Sequence, residues 1–533
     1  MSEKTSGDRW EIVLLTKQIR ILIPVNDEQK RPLRRKFVSY HSLGKHLRPN
    51  LLTNALNAAN NKKGVGCIMS TNLESYVPQE TQIQHDTGVD ESLNPKTEEG
   101  RTVSPVDYIF MWVGDGVNLG NMTLGASMIV AGIATLNIFQ TFAAAIMAIG
   151  IISTVFALND RLGYRTGIPY VVQLRMSFGL KGSVISSLMR GIPAIVWYGF
   201  QSWIGGTALN EIAKIMTGGA FDNVAICFVV LQFVQIGLSL YGFHAIKWVE
   251  TLASIVIVLA LLYVFGVLLT SYSDVIAEKW VHAEGSWGLP FFALIMMFMG
   301  NYAAIFLSAA DYSRELKTGI SDKKRGFLYF LPILTAYGLT LTIGGMLASA
   351  TGINNPVKAF AVVVDNSYIT LFVSAFIVLG AVAVNMVANI IPPTYVITLL
   401  TKMKYKPAVT ITGLLAFCSF PWVLVQDSSA KGLGIFILIY SAFLGPIVSI
   451  LLVEYYILRK QKVNVADLYK EDGPFAGSNP AAVLALLIGA GAACLKVELA
   501  WIIGVVVGGS AYLLLMKFAF KDSKFKKGTI FEK

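Results

Sequence analysis

The sequence predicts an all-α polytopic membrane protein of about twelve transmembrane helices, and three observations predict it. Hydrophobic residues make up 54% of the 533 positions and charged residues only 14%, against roughly 25% charged in a soluble domain. From Pro105 onward apolar runs of about 20 residues recur, each long enough to cross a bilayer. The basic residues between those runs alternate, rich in one set of loops and poor in the other.

Residues 1–104 are polar and lack a spanning segment, and no apolar h-region with a small-residue cleavage site marks a signal peptide. Of the net charge of +11, 8 comes from residues 1–68, so it does not point to nucleic acid. Two readings of residues 1–68 stand. One is a basic cytoplasmic tail touching anionic lipid through Lys30–Lys36. The other, the preferred one, places the natural start at Met69, because Lys62-Lys63-Gly64-Val65 can be encoded by a ribosome-binding site. Residues 69–104 then read as a disordered lead-in.

The expected spans are 106–131, 133–157, 182–213, 222–242, 247–271, 287–310, 327–350, 367–391, 407–425, 432–457, 480–495 and 499–516. An even number puts both termini on one side. Loops on that side carry seventeen Lys and Arg, among them Arg161, Arg165, Lys323, Lys324 and Arg325. Opposite loops carry five: Lys214, Lys279, Lys358, Lys431 and Lys496. The positive-inside rule places both termini, with the basic tail 521–533, in the cytoplasm, and the expected location is the plasma membrane.

The four cysteines, Cys67, Cys227, Cys418 and Cys494, have no paired or metal-like spacing. The last three, inside apolar runs, read as small buried hydrophobes. No Cys/His cluster occurs, no cofactor is expected, and without a phosphate-binding glycine loop ATP drive is not expected.

The first span is interrupted: Gly114-Asp115-Gly116-Val117-Asn118-Leu119-Gly120-Asn121 falls at mid-membrane depth. The sixth carries Gly300-Asn301-Tyr302 in its middle and ends in Asp311-Tyr312-Ser313-Arg314. Each opens a block of five spans. Matching glycine-bearing breaks in two halves are the sign of an inverted-repeat transporter, whose unwound backbone can hold an ion or substrate. Close helix packing through small residues is the other reading. In the third span Trp197 and Gln201 are four apart and share a helix face. A flat indole and a primary amide together suit a planar ring with amide edges.

At these residues the sequence resembles the nucleobase–cation symporter family of hydantoin, allantoin, cytosine, uracil and purine permeases, over about residues 100–520. Trp197-Tyr-Gly-x-Gln201 is similar to the family's motif in which the Trp stacks on substrate and the Gln hydrogen-bonds it. Asp311–Arg314 resembles the signature closing the sixth helix, Asn385-x-x-x-Asn389 a substrate-contacting segment of the eighth, and Leu444-Gly445-Pro446 through Lys460 the tenth. The resemblance implies a LeuT-like five-plus-five inverted repeat with two further helices. It also implies substrate contacts from Trp197, Gln201, Asn118, Asn301, Tyr302, Asn389, Asn385 and Leu444. Tyr302 stands where better-understood relatives have Trp, and offers a smaller stacking face.

For a cation, the resemblance implies the carbonyls of Gly114 and Val117 facing Gly380, Ala383 and Val384. The hydroxyls that hold sodium in relatives are absent, and a hard cation wants several oxygen ligands. Asp115 is the alternative, since a carboxyl in a helix break is costly unless paired, hydrated or protonated. H+ is therefore the expected coupling ion, ahead of Na+. Arg190 reads as a cap or a snorkelling side chain. Glu211 and Glu250 read as solvated interface charges, and Asn354-Asn355-Pro356 as part of an outer gate. The expected partners are a small heterocycle and the bilayer, not nucleic acid, with a monomer as the working unit. A same-fold transporter of thiamine or an amino acid is the alternative. No nucleophile–base set, metal cluster or filter-like repeat supports an enzyme or a channel.

Overall fold

The computed structural model describes residues 90–130, 136–240, 243–364, 366–424, 430–520 and 522–532, with residues 12–15 and 18–21. Cys67, Met69 and the basic run Lys30–Lys36 lie outside the described residues, as do the side chains of Lys247, Glu250 and Lys431. The chain divides into two units, Met1–Thr81 and Gln82–Lys533. In the first, β1 (Ile12–Leu15) pairs antiparallel with β2 (Gln18–Ile21), Ile12 opposite Ile21.

The second unit is helical. Its first span starts where Ser104 and Asp107 cap each other's backbone N–H, with Pro105 following. It runs as α1 (Pro105–Gly116), breaks at Val117–Asn118, and resumes as α2 (Leu119–Val130). α3 (Ile138–Thr166) is set by an Asn137–Gln140 capping box and ended by left-handed Gly167. It runs nine residues past the expected end at 157. The polar residues there are satisfied inside the protein: Asn159 donates to the carbonyls of Phe306 and Leu307, and Asp160 accepts two hydrogen bonds from Arg325 at 2.8 and 2.9 Å. The charges that seemed to end the helix are what fasten it.

α4 (Arg175–Met216) begins before the expected span and bends at Gly179, whose φ is 79°. A β-carbon there would lie 2.5 Å from the Gly477 carbonyl. α5 (Val224–Ser239) and α6 (Phe243–Ser271) follow. α7 (Leu289–Leu307) corrects an expectation: it runs unbroken through Gly300-Asn301-Tyr302, and the break falls at Ser308 before α8 (Ala309–Ser313). Gly300 serves close packing, since a β-carbon there would meet Ser441 Oγ at 2.4 Å. Asn301 is satisfied by side chains and needs no unwound backbone.

α9 (Asp322–Thr351) packs on α1 and α2, and α10 (Pro356–Val364) is capped by Asn355. α11 (Ser367–Val384) passes through a π-helical turn, Asn385–Ile390, into α12 (Ile391–Thr401). α13 (Tyr405–Phe417) stops eight residues short of the expected 425, ahead of Pro421. α14 (Ala430–Leu452), α15 (Pro480–Cys494) and α16 (Ala500–Leu514) pack on one another. Among the described residues six helices are long and apolar enough to cross a membrane, and a seventh if Ile255–Ser271 and Ser273–Val281, bent by 89°, form one span. Three more helices are apolar but shorter. The protein is a multi-pass membrane protein.

The lead-in is not disordered over residues 90–104. Leu93 and Val103 are buried, Val103 bridges Leu316, and Arg314 donates to the carbonyls of Ser92 and Asn94. The tail is also packed: Arg459 holds the carbonyls of Phe525 and Lys527. Cys227 is buried as expected, but Cys418, just past the end of α13, and Cys494, the last residue of α15, are exposed.

Candidate functional site

The break in the first span is built by asparagines. The Asn118 amide donates to the Asp115 carbonyl. Asn121 donates to the carbonyls of Asp115 and Gly116 at 3.2 and 3.0 Å, and its backbone N–H donates to Asn118 Oδ1 at 2.9 Å. The carbonyls freed at the end of α1 are thus engaged by side chains, as buried polar groups must be. Asn301 of α7 donates to Asn121 Oδ1 at 2.8 Å and to the Tyr337 hydroxyl at 3.2 Å. That ties α2, α7 and α9 at one level.

Around this point lies a small polar cavity lined by Asp115, Asn118, Trp197, Gln201, Asn301, Tyr302 and Asn389, with Asn121, Arg190 and Ala388. Seven sequence-predicted residues from four spans meet there. Trp197 is nearly fully buried, its Nε1 donating to the Tyr440 hydroxyl at 3.3 Å and its ring edge-on to Phe200. Tyr440 donates onward to the Asn301 carbonyl at 3.5 Å. Gln201 is 4% exposed, and its amide makes no hydrogen bond among the described residues. Asn389 donates to Asn385 Oδ1 at 2.9 Å, which leaves its own carbonyl oxygen open. Asn385 donates to the Tyr198 carbonyl, Ser202 Oγ and Gln235 Oε1. It holds Asn389 in place rather than lining the cavity. The π-helical turn is what sets both asparagines toward α4, a common use of such turns.

Asp115 is 3% exposed, and its Oδ2 has no hydrogen-bond partner at bonding geometry. The Tyr302 hydroxyl faces it as a hydrogen-bonding group, and the Arg190 guanidinium acts on it by charge. Tyr302 is held edge-on by Tyr337 and Phe156.

A second cavity is apolar and shares Asn118 with the first. Val117 and Gly380 line it, with Ile257, Phe360 and Pro356. Ala383 and Val384 are buried beside it on α11, and Gly114 is buried in α1. This set presents no side-chain oxygen, which does not suit a hard cation.

Two readings need correcting. Leu444 is fully buried in the packed core, not in the cavity; Tyr440, one turn earlier on the same helix, is the residue that reaches Trp197. Arg190 neither caps nor snorkels: it is 1% exposed, with Nε on Ser308 Oγ at 3.1 Å and Nη2 on the Ala388 carbonyl at 3.0 Å. Its spacing, seven residues before Trp197, is the signal that places it on the cavity face. Asn121, three residues after Asn118, carries the same kind of signal.

Comparison with known proteins gives the family and the fold. Residues 95–514 match the family described as permease for cytosine/purines, uracil, thiamine, allantoin. The chain is 27% identical over 479 residues to the allantoin permease of Bacillus subtilis, covering 82% of this chain and 95% of the relative. It is 24% identical to the hydantoin permease of Microbacterium maritypicum, over 79% and 87% of the two chains. Among solved structures it resembles Mhp1, a nucleobase-cation-symport-1 family transporter, in a closed conformation with bromovinylhydantoin bound. There the TM-score is 0.74 and the identity 22%, over 84% of this chain and 98% of the other. The inward-facing conformation of Mhp1 matches with a TM-score of 0.72 at 23% identity, over 84% and 96%. These two likenesses concern the fold. With relatives named as permeases, the protein is a transporter and not an enzyme.

Proposed function

The chain belongs to the family of permeases for cytosine/purines, uracil, thiamine and allantoin, and on that premise we propose that it is a secondary active symporter. It carries a nucleobase or related planar heterocycle (a purine, pyrimidine, allantoin or hydantoin) into the cell together with H+. The observation that carries the reading is the polar cavity, where the buried Trp197 indole stands beside an uncommitted Gln201 amide and the open Asn389 carbonyl. An indole face gives a planar ring its apolar contact, and the two amides read its N–H and C=O edge.

Two observations support H+ over Na+. Asp115 lines the substrate cavity with its Oδ2 outside hydrogen-bonding geometry, where the Tyr302 hydroxyl and the Arg190 guanidinium are the groups that face it. Of the positions expected for sodium, Val117 and Gly380 line an apolar cavity, and Gly380, Ala383 and Val384 bring no side-chain oxygen. The break in the first span and the break at Ser308 support alternating access, in which one five-helix repeat rocks against the other around this cavity. Twelve spans, with both termini in the cytoplasm and the protein in the plasma membrane, complete the proposal.

The test is uptake of radiolabelled allantoin, hydantoin, uracil, cytosine, hypoxanthine and thiamine by cells expressing the protein, with and without a protonophore. Accumulation of one flat neutral ring that collapses with the protonophore and survives sodium removal is the expected result. Accumulation of thiamine alone would sink the indole–amide reading. For Asp115→Asn, loss of protonophore-sensitive accumulation is expected. Full pH-dependent uptake in that variant would remove Asp115 as the carrier.

A further inference from the structure

Asn389 meets the substrate cavity through one end of its amide, and residues outside the cavity decide which end. Asn389 Nδ2 donates to Asn385 Oδ1 at 2.9 Å. Asn385 Nδ2 in turn faces three acceptors: Gln235 Oε1 at 2.8 Å, Ser202 Oγ at 3.1 Å and the Tyr198 carbonyl at 3.2 Å. Gln235 Nε2 donates to Ser202 Oγ at 2.9 Å, which leaves its Oε1 for Asn385. Gln235, Ser202 and Asn385 are fully buried, and they come from α5, α4 and the π-helical turn.

An amide turned end for end keeps its shape, so its polarity is set by its partners. Here one partner has no choice. The Tyr198 carbonyl can only accept, so the end of Asn385 that faces it is the NH2 end. Asn385 then offers Oδ1 to Asn389, which meets it with Nδ2. Turning Asn385 would set its oxygen against the Tyr198 carbonyl, and turning Asn389 would set its oxygen against Asn385 Oδ1. An unmet polar group is costly in the interior, so neither turn is open. Asn389 Oδ1 is thus the end left for the cavity. Gln201, the other amide lining the cavity beside Trp197, makes no hydrogen bond among the described residues, so it can turn to suit a donor or an acceptor.

We propose that Asn385 and Gln235 are positioning residues that set the polarity of the substrate site: they lock Asn389 as a hydrogen-bond acceptor, so that the transported ring is selected for an N–H at that point. The rings it favours carry a lactam or ureide N–H there, and a ring that presents oxygen or an unprotonated nitrogen is turned away. This rests on the reading of the polar cavity as the site of a planar ring, which wild-type uptake checks first.

The experiment takes the panel compound that the wild type accumulates best and measures how its analogues compete for initial uptake. In each analogue one ring N–H is replaced either by CH2, which brings no polar group, or by O, which brings an acceptor. At one ring position the wild type should bind the CH2 analogue about ten- to a hundredfold more weakly than the parent, and the O analogue more weakly still. That order marks a site that accepts; a site that donates would prefer O to CH2. Asn385→Ala frees Asn389 to turn, and at that position the O analogue should then compete at least as well as the CH2 analogue. Gln235→Met removes the acceptor behind Asn385 and should narrow the gap between the two analogues. Gln235→Glu keeps an oxygen for Asn385 whether or not it is protonated, and should keep the wild-type gap. A merely structural role would change protein yield or rate and leave the order of the analogues alone. The wild-type order retained in Asn385→Ala, or O competing as well as CH2 at every ring N–H in the wild type, would overturn the proposal. If Asn385→Ala does not reach the membrane, the Gln235 variants decide: a gap that narrows in Gln235→Met and returns in Gln235→Glu supports the lock, and the same gap in both refutes it. A wild type that accumulates no ring compound would overturn the reading of the cavity, and this proposal with it, before any variant is read.

Discussion

Adding one methyl group at Gly120 should damage substrate recognition while leaving the fold intact. Gly120 lies on α2 just past the break and faces the indole. A β-carbon there would stand 2.9 Å from Trp197 Cζ3, 3.0 Å from Asn118 Oδ1 and 3.3 Å from Phe200 Cε1. Carbon pairs settle at about 3.5–4.0 Å, so the indole must withdraw by roughly 0.6–1.1 Å. Withdrawal is resisted by the Trp197–Tyr440 hydrogen bond at 3.3 Å and by the edge contact with Phe200 at 5.2 Å. Overpacking of this kind costs about 1–3 kcal/mol, and each 1.4 kcal/mol that falls on the stacked complex is about tenfold in affinity. Alanine meanwhile favours the helix by about 0.8–1 kcal/mol over glycine, so protein yield should hold. Gly120→Ala is therefore expected to raise KM for the transported ring by about five- to a hundredfold. The assay is initial uptake rate against concentration, normalised to protein in the membrane. Gly150→Ala is the control, because a β-carbon there meets nothing within 4 Å. A wild-type KM in Gly120→Ala would refute the placement of substrate against Trp197.

Removing one half of the buried Asp160–Arg325 pair, as in Asp160→Ala, should cost about 3–5 kcal/mol. It should lower the melting temperature in detergent far more than the paired replacement Asp160→Leu with Arg325→Met; equal losses would refute the ion-pair argument. Gly125→Ala and Gly344→Ala should each force α2 and α9 apart, since their β-carbons would lie 2.2 Å from the Leu341 carbonyl and 2.1 Å from the Met122 carbonyl. Each should show reduced folded protein by fluorescence size-exclusion, and unchanged yield would count against the packing. On the loop after α4, the Asn210 amide and then Lys214 hold the Asp222 carboxyl below its usual range. A depressed folded-state value gives protection that is present above the ordinary carboxylate range and is lost as pH falls through the lowered value. Hydrogen-exchange protection of residues 214–223 should persist from about pH 7 to about pH 5 and fall only on stronger acidification; loss already at about pH 5 would contradict this.

Much of the candidate site could be read in the chain because it is local in sequence. Trp197 and Gln201 share a face by helical spacing alone, and Asp115 and Asn118 announce a break by putting polar groups where lipid forbids them. Where reading failed, the deciding contact was distant. Gly300-Asn301-Tyr302 resembles an unwound turn, but Asn301 finds Asn121 and Tyr337, 180 and 36 residues away, and the helix stays intact. Asp160 and Arg161 look like the cytoplasmic end of a span until Arg325 arrives from another helix. Which level of α14 meets α4 is set by packing: Tyr440 reaches Trp197, and Leu444, one helical turn later, is buried in the core.

The sequence alone therefore determined the class of the protein, its helical character and the chemistry of its cavity. These follow from the transfer cost of side chains and from the periodicity of one helix, which are properties of neighbouring residues. Only the tertiary structure decided where the second break falls, which asparagines close the first one, and that Arg190 is buried against Ser308 and the Ala388 carbonyl at the cavity. Those outcomes depend on which side chain from a remote segment satisfies each buried polar group. That pairing is fixed by how the helices pack against one another.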